Sequence, residues 1–231
     1  MKQKIFKCLV FAALLMCCGE MWANWDNGKP DYGTRCENRN PDKIVEIDGI
    51  RYSLYNNRKY TYSYEGIDVS TPNSGNYAVA AYCTKTNRSK EMYIPRTVRY
   101  GNVDYTVVAI GEQFFYYSEN HEVEKLSIPS TVIALETFAL ENYVDDIETL
   151  IIEDADNELF CYRTTNSHGA FYWLTGLESV YLGRKLEYKF TDQTRYLVPF
   201  CEGRYEGLEV EIGPKVTAIG ESCFQNCNLT K

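Results

Sequence analysis

The chain has 231 residues, 45% of them hydrophobic and 24% charged, with a formal net charge of −8. That acidic balance argues against nucleic acid and anionic membrane surfaces as partners. Strand-forming residues dominate, with 20 tyrosines, and extended helical periodicity is missing, so a mainly β chain is expected.

The first 23 residues read as a targeting segment. Lys2, Lys4 and Lys7 form a basic start, 8–18 is apolar, and Met21-Trp22-Ala23 ends on a small residue. This is the pattern of a secretory signal peptide, too short for a spanning helix. Cleavage is expected after Ala23. The alternative is a lipoprotein signal with Cys17 or Cys18 as the lipidated N-terminus, opposed by the bulk of Met16 or Cys17 just before it. Loss of Lys2, Lys4, Lys7 and Glu20 takes the charge to −10. Elsewhere no segment is apolar enough to span a bilayer. Export permits disulfides among Cys36, Cys83, Cys161, Cys201, Cys223 and Cys227. A Cys36–Cys83 bridge would staple the N-terminal module, but reduced packing cysteines are expected, because the core is not too small to fold without staples.

Residues 24–42 begin with an Asn-, Asp- and Gly-rich stretch read as a flexible lead. From 43 to 90 the pattern is that of a small antiparallel module. Ile44 to Ile47 and Ile50 to Tyr55 flank Asp48-Gly49, a hairpin signal. Tyr60, Tyr62 and Tyr64 alternate with polar residues, 70–76 is rich in turn formers, and Tyr77, Val79, Ala81 and Cys83 alternate again. Such a module would cap a repeat array and shield its open edge.

From 91 to 231 the chain repeats. Five dyads, Phe114-Phe115, Ala139-Leu140, Ala170-Phe171, Pro199-Phe200 and Cys223-Phe224, punctuate it. Each of the first four is followed, 11 to 13 residues on, by a strand ending at Ile128, Ile152, Leu182 or Ile212. The strands place apolar residues at fixed offsets: Val123, Leu126, Ile128; Ile147, Leu150, Ile152; Leu177, Val180, Leu182. Pro95 and Pro129 end theirs, offering no N–H to a ladder. A second apolar segment precedes three dyads, at Val107 to Gly111, Val132 to Glu136 and Val216 to Gly220. The interval from strand to dyad varies from 12 to 21 residues. Insertions at 99–106, 154–167 and 187–197 therefore fall on one side of the dyad, which in a stacked array places extra loops on one face or edge. The pattern predicts a β solenoid of irregular repeats of about 24–34 residues. Continuing the spacing past Phe224 puts the next strand end near position 236, beyond Lys231. The chain is therefore expected to be a truncated or early-terminated member of a longer array.

The runs Leu126-Ser127-Ile128-Pro129-Ser130-Thr131-Val132 and 212–227, with 150–154 and 177–184, resemble the BspA-type leucine-rich repeat of bacterial surface proteins. The resemblance extends from about Ile44 to the C-terminus. Ala139-Leu140 departs from it in lacking phenylalanine, and Pro199-Phe200 in lacking alanine. It implies a leucine-rich-repeat solenoid in a secreted or surface-attached protein used for adhesion or host interaction. It transfers no catalytic residue.

Chemistry-bearing candidates are few. His121 and His168 sit in no nucleophile or metal motif, and Cys161 shares an insert with His168 without an orienting group or oxyanion donor. Cys223 and Cys227 are four apart but lack the remaining ligands of a zinc site. The run Glu153-Asp154-Ala155-Asp156-Asn157-Glu158 is rich in oxygen ligands suited to calcium, though its spacing is not that of an EF-hand. Tyr162, Tyr172, Trp173, Tyr188, Tyr196 and Tyr205 lie in or beside the inserts; those next to dyads are expected to pack between coils, and Tyr162 and Tyr196 lie farther from them. No catalytic, cofactor or metal residue is assigned, and the ligand-binding residues stay unassigned. The reading is an interaction or adhesion module for a host or matrix protein or glycan. The alternatives are a structural spacer in a longer surface protein, or an exported enzyme with its site in an insert.

Overall fold

The structure, a computed structural model, describes residues 25–26, 29–30, 40–64, 67–83, 90–112, 114–115, 123–140, 146–162, 168–189, 198–200, 205 and 207–230. The signal-peptide segment, His121, Cys36, Cys201 and Tyr196 lie outside them. The chain divides into two compact units, Met1–Tyr32 and Gly33–Lys231. In the first, strands β1 (Trp25–Asp26) and β2 (Lys29–Pro30) pair antiparallel. Part of the segment expected to be a flexible lead is thus a short ladder.

The second unit opens with β3 (Lys43–Ile47) and β4 (Ile50–Arg58), paired antiparallel about Asp48-Gly49. Both turn residues have positive φ, 50° and 80°, as the predicted two-residue hairpin requires. Asp42, placed in the lead by its sequence, belongs to this module: its N–H donates to the Leu54 carbonyl and its carboxylate pairs with Arg58 at 2.7 Å. Strand β7 (Gly75–Cys83) pairs antiparallel with β4. Between them β5 (Thr61–Tyr64) and β6 (Ile67–Ser70) form a separate hairpin. The alternation read in Tyr77 to Cys83 does not produce a one-sided strand. β7 is buried on both faces, Ala78 and Ala80 in the main core and Val79 in a second cluster with Tyr60 and Tyr62.

The repeats wind between two sheets. One is five-stranded and wholly parallel, in the order β17 (Glu209–Ile212), β15 (Ser179–Leu182), β13 (Thr149–Ile152), β11 (Lys125–Ile128), β8 (Glu91–Tyr93). Its register is that of the sequence repeat: Leu126, Leu150, Val180 and Val210 share one rung position, and Ile128, Ile152, Leu182 and Ile212 another. The second sheet runs β16 (Leu186–Glu187), β14 (Leu159–Cys161), β12 (Ala134–Leu135), β10 (Val103–Ile110), then β7, β4 and β3, with β9 (Thr97–Tyr100) beside β10. The antiparallel module thus joins the array through the β7–β10 pair, which is parallel.

The dyads form the third side of the coil. Phe114, Phe115, Ala139, Leu140, Ala170, Phe171 and Phe200 are buried, and the rings of Phe171, Phe200 and Phe224 stack in series at 4.5 and 4.8 Å. Phe138 and Ser222, each just before a dyad, take positive φ of 62° and 59°, so these corners turn in the left-handed region. Among the described residues there is no helix.

The expected inserts need correction. Residues 99–106 belong to the β9–β10 hairpin, with 103–106 in the second-sheet strand itself, and 163–167 and 190–197 lie outside the described residues. Much of the supposed insert 154–167 is the repeat itself, since it contains β14. The segment Val216 to Gly220 is not a strand, and Ile219 is 51% exposed. Beyond β17, an isolated parallel bridge sets Leu229 opposite Leu208.

Candidate functional site

The five-stranded parallel sheet presents a regular, half-exposed face. Alternation sends every second residue of each strand outward. That face carries Glu91 and Tyr93, Lys125 and Ser127, Thr149 and Ile151, Ser179 and Tyr181, Glu209 and Glu211. A shallow groove of about 440 Å³ crosses β13, β15 and β17, walled by Ile151, Tyr181, Glu209 and Glu211, with the hydroxyls of Thr149 and Ser179 hydrogen-bonded to each other at 3.1 Å. Tyr181 is fixed by donation from its hydroxyl to Asp154 at 2.9 Å, which raises its own pKa. Tyr93 stands 56% exposed on β8.

The acidic run read as a candidate ion site holds coils together. Glu153 accepts from Arg96 at 2.8 Å and from the Ser130 N–H at 2.9 Å. Asp154 accepts from Tyr181, Asp156 pairs with Lys215 at 2.7 Å, Asn157 faces Arg184 and Glu158 pairs with Lys185 at 2.6 Å. Each polar side chain of the run is taken by another coil, one or two rungs away, so its oxygens do not converge on a shared centre. Arg184 itself is fully buried, donating to the carbonyls of Pro129 at 2.9 Å and Ser130 at 3.1 Å. Burial lowers its pKa to about 10, opposed by Cys161 and Glu153.

A second polar cluster, which single-residue inspection missed, lies under the β5–β6 hairpin. The Tyr60 hydroxyl donates to buried Glu136 at 2.9 Å, Tyr62 donates to Glu112 at 3.2 Å, and the Thr137 N–H donates to the Tyr62 hydroxyl at 3.1 Å. Burial first, and the charge of Glu112 second, hold the Glu136 carboxyl well above its ordinary pKa. The available signal was Glu136 standing where the matching segments have Gly111 and Gly220.

The remaining candidates are structural. Tyr162 is not a surface residue: it is buried edge-on against Tyr62 at 4.7 Å and donates to the Ile67 carbonyl. Tyr205 is buried and Tyr188 half-buried, with their hydroxyls on the carbonyls of Phe171 and Glu221. His168 stacks on Tyr172 at 3.7 Å with Trp173 alongside. Cys161 is buried, and burial pushes its thiol well up, opposite to what a nucleophile needs. Cys223 is raised to about 12 by burial, and the Cys227 thiol donates to the Phe200 carbonyl at 2.9 Å. Among the described residues no group of three or more His, Cys, Asp or Glu could hold a metal ion.

The repeat geometry has a counterpart among known families. The description "BspA type Leucine rich repeat region" matches six copies, over 89–193 and 202–231, more than half of the chain. The chain belongs to the BspA-type leucine-rich repeat family. The match starts at 89, so the antiparallel module, which the sequence resemblance had included from Ile44, lies outside it. No curated protein and no solved structure matches the chain. Membership places this BspA-type array among repeat proteins that present interaction surfaces, a role that needs no catalytic group. No helix among the described residues is long and apolar enough to cross a membrane.

Proposed function

We propose that this BspA-type chain is an exported or surface-attached adhesion module that binds a matrix or host protein or glycan, without turnover, on the outward face of its five-stranded parallel sheet. The observation carrying this reading is the groove across β13, β15 and β17, where an apolar and aromatic wall, paired hydroxyls and carboxylates meet on a rigid ladder. Rigid strands hold such groups in place at little ordering cost on binding. The basic and apolar character of 1–23 supports export.

Immobilised extracellular-matrix proteins and glycans, probed with the chain by surface plasmon resonance with calcium and with chelator, test the proposal. Ile151→Arg, in the groove, is expected to weaken a saturable interaction by about tenfold or more, as loss of a central contact does. Glu46→Gln, exposed on β3, is expected to leave it unchanged. Equal binding by the Ile151→Arg variant would move the site off this face.

A further inference from the structure

The outward sheet face is electrically divided. On β8 and β11 charge is balanced within the sheet: Lys90 pairs with Glu124, and Lys125 with Glu91 at 3.3 Å. On the other three strands it is not. Glu148 and Glu178, at the entrances of β13 and β15, and Glu209 and Glu211 on β17 are all exposed. None of the four has an ion pair among the described residues. The acidic residues at the opposite end of these strands do have partners, on Arg96, Tyr181 and Lys215. Adjacent strands lie about 4.8 Å apart, so Glu148 and Glu178 repel across one rung, and Glu209 and Glu211 repeat about 7 Å apart along one strand.

We infer that the groove over β13, β15 and β17 takes an extended, basic segment of a partner protein, with lysine or arginine at alternate positions; this rests on the sheet-face reading above. Alternate side chains of an extended segment recur at about 7 Å, the repeat of Glu209 and Glu211. The wall of Ile151 and the Tyr181 ring suits the methylene stems of such side chains and places a ring face near their charges. The hydroxyls of Thr149 and Ser179 supply polar contacts on the same groove. A metal ion is not the occupant argued for, since among the described residues no group of three or more His, Cys, Asp or Glu could hold one. A second copy of this chain, itself at −8, and an anionic sulfated glycan would both be repelled.

The test uses the whole chain and three short fluorescein-labelled peptides, with lysine, glutamine or glutamate at every second position, followed by fluorescence anisotropy. Saturable binding of the lysine peptide alone is expected. It should weaken about tenfold between roughly 50 and 300 mM salt, since these exposed charges are screened. The Glu209→Gln, Glu211→Gln double variant should weaken it by several-fold, and Glu46→Gln should leave it unchanged. Lysine and glutamine peptides bound alike, or a double variant indistinguishable from the parent, would overturn the inference. So would the absence of any binding by a sample that unfolds cooperatively. If Ile151→Arg nevertheless abolished matrix-protein binding, the sheet-face reading would stand and the basic partner alone would fall.

Discussion

At the scale of single residues, two positions show how a repeat slot can be reused. Gly183 sits where a Cβ would lie 2.6 Å from the Glu153 carbonyl carbon and closer still to the Asp154 N–H and the Ile152 oxygen. Only glycine lets adjacent coils approach this closely, so Gly183→Ala should cost about 1–3 kcal/mol, read from urea unfolding. Glu136 is the reverse case, a carboxyl in a glycine slot, tied to Tyr60 and close to Glu112, Tyr62 and Thr137. Its folded pKa lies above the unfolded one, so the unfolded chain binds fewer protons as pH rises beyond the ordinary carboxylate range. The contribution of Glu136 is therefore complete below that range and is lost as pH rises toward the folded pKa. Glu136→Gln should flatten this part of the profile. The variant gains relative to the parent in urea midpoints taken from about pH 4 to about pH 8. A constant difference across that range would show that Glu136 does not titrate differently on folding.

At the scale of elements, the stack of Phe171, Phe200 and Phe224 and the β5–β6 hairpin attach coils to one another in different ways. Phe200 is buried between two rings, whereas Phe224 is half-buried with one. Phe200→Ala should cost about 3–5 kcal/mol, and Phe224→Ala clearly less, because its cavity is open to solvent. The hairpin is held through the Tyr62 hydroxyl, which receives the Thr137 N–H. Tyr62→Phe orphans that donor, with an expected loss of about 1–3 kcal/mol. Faster hydrogen exchange confined to the hairpin and its neighbours would distinguish local release from global loss. The hairpin's strand pattern was legible in alternating tyrosines. Its seat on Glu136 and Thr137 was not, because hydrogen bonds between residues about 75 apart leave no local periodicity.

At the scale of the molecule, stability passes between neighbouring coils, and some side chains, Arg96 and Lys215 among them, reach two coils away. Arg184 is another: from the end of the β15 coil it reaches Asn157 one coil back and the carbonyls of Pro129 and Ser130 two coils back. Arg184→Met should destabilise by about 1–3 kcal/mol, because those carbonyls lose their buried donors. Loss of cooperativity in the urea transition would accompany it if the link joins coils otherwise able to unfold separately. The acidic surface carries the remaining whole-molecule expectation, the salt-sensitive binding of a basic segment argued above.

The sequence by itself determined the solenoid, the rung strands and the Asp48-Gly49 hairpin. Each depends on a short-range rule: alternation for a half-buried strand, a positive-φ pair for a tight turn, and equal path length for each coil. Only the tertiary structure decided which polar groups are spent on folding and which remain available for a partner. The run 153–158 looks like an ion site until its partners on four other segments are in place, and Tyr162 looks like a surface aromatic until the hairpin covers it. The exposed carboxylates Glu148 and Glu178, at the entrances of β13 and β15, and Glu209 and Glu211 on β17 gain meaning only by comparison with the paired ones around them. Parallel stacking brings residues about 30 apart in the chain onto adjacent rungs, and whether such a residue meets a cation, a hydroxyl or water depends on its neighbours there.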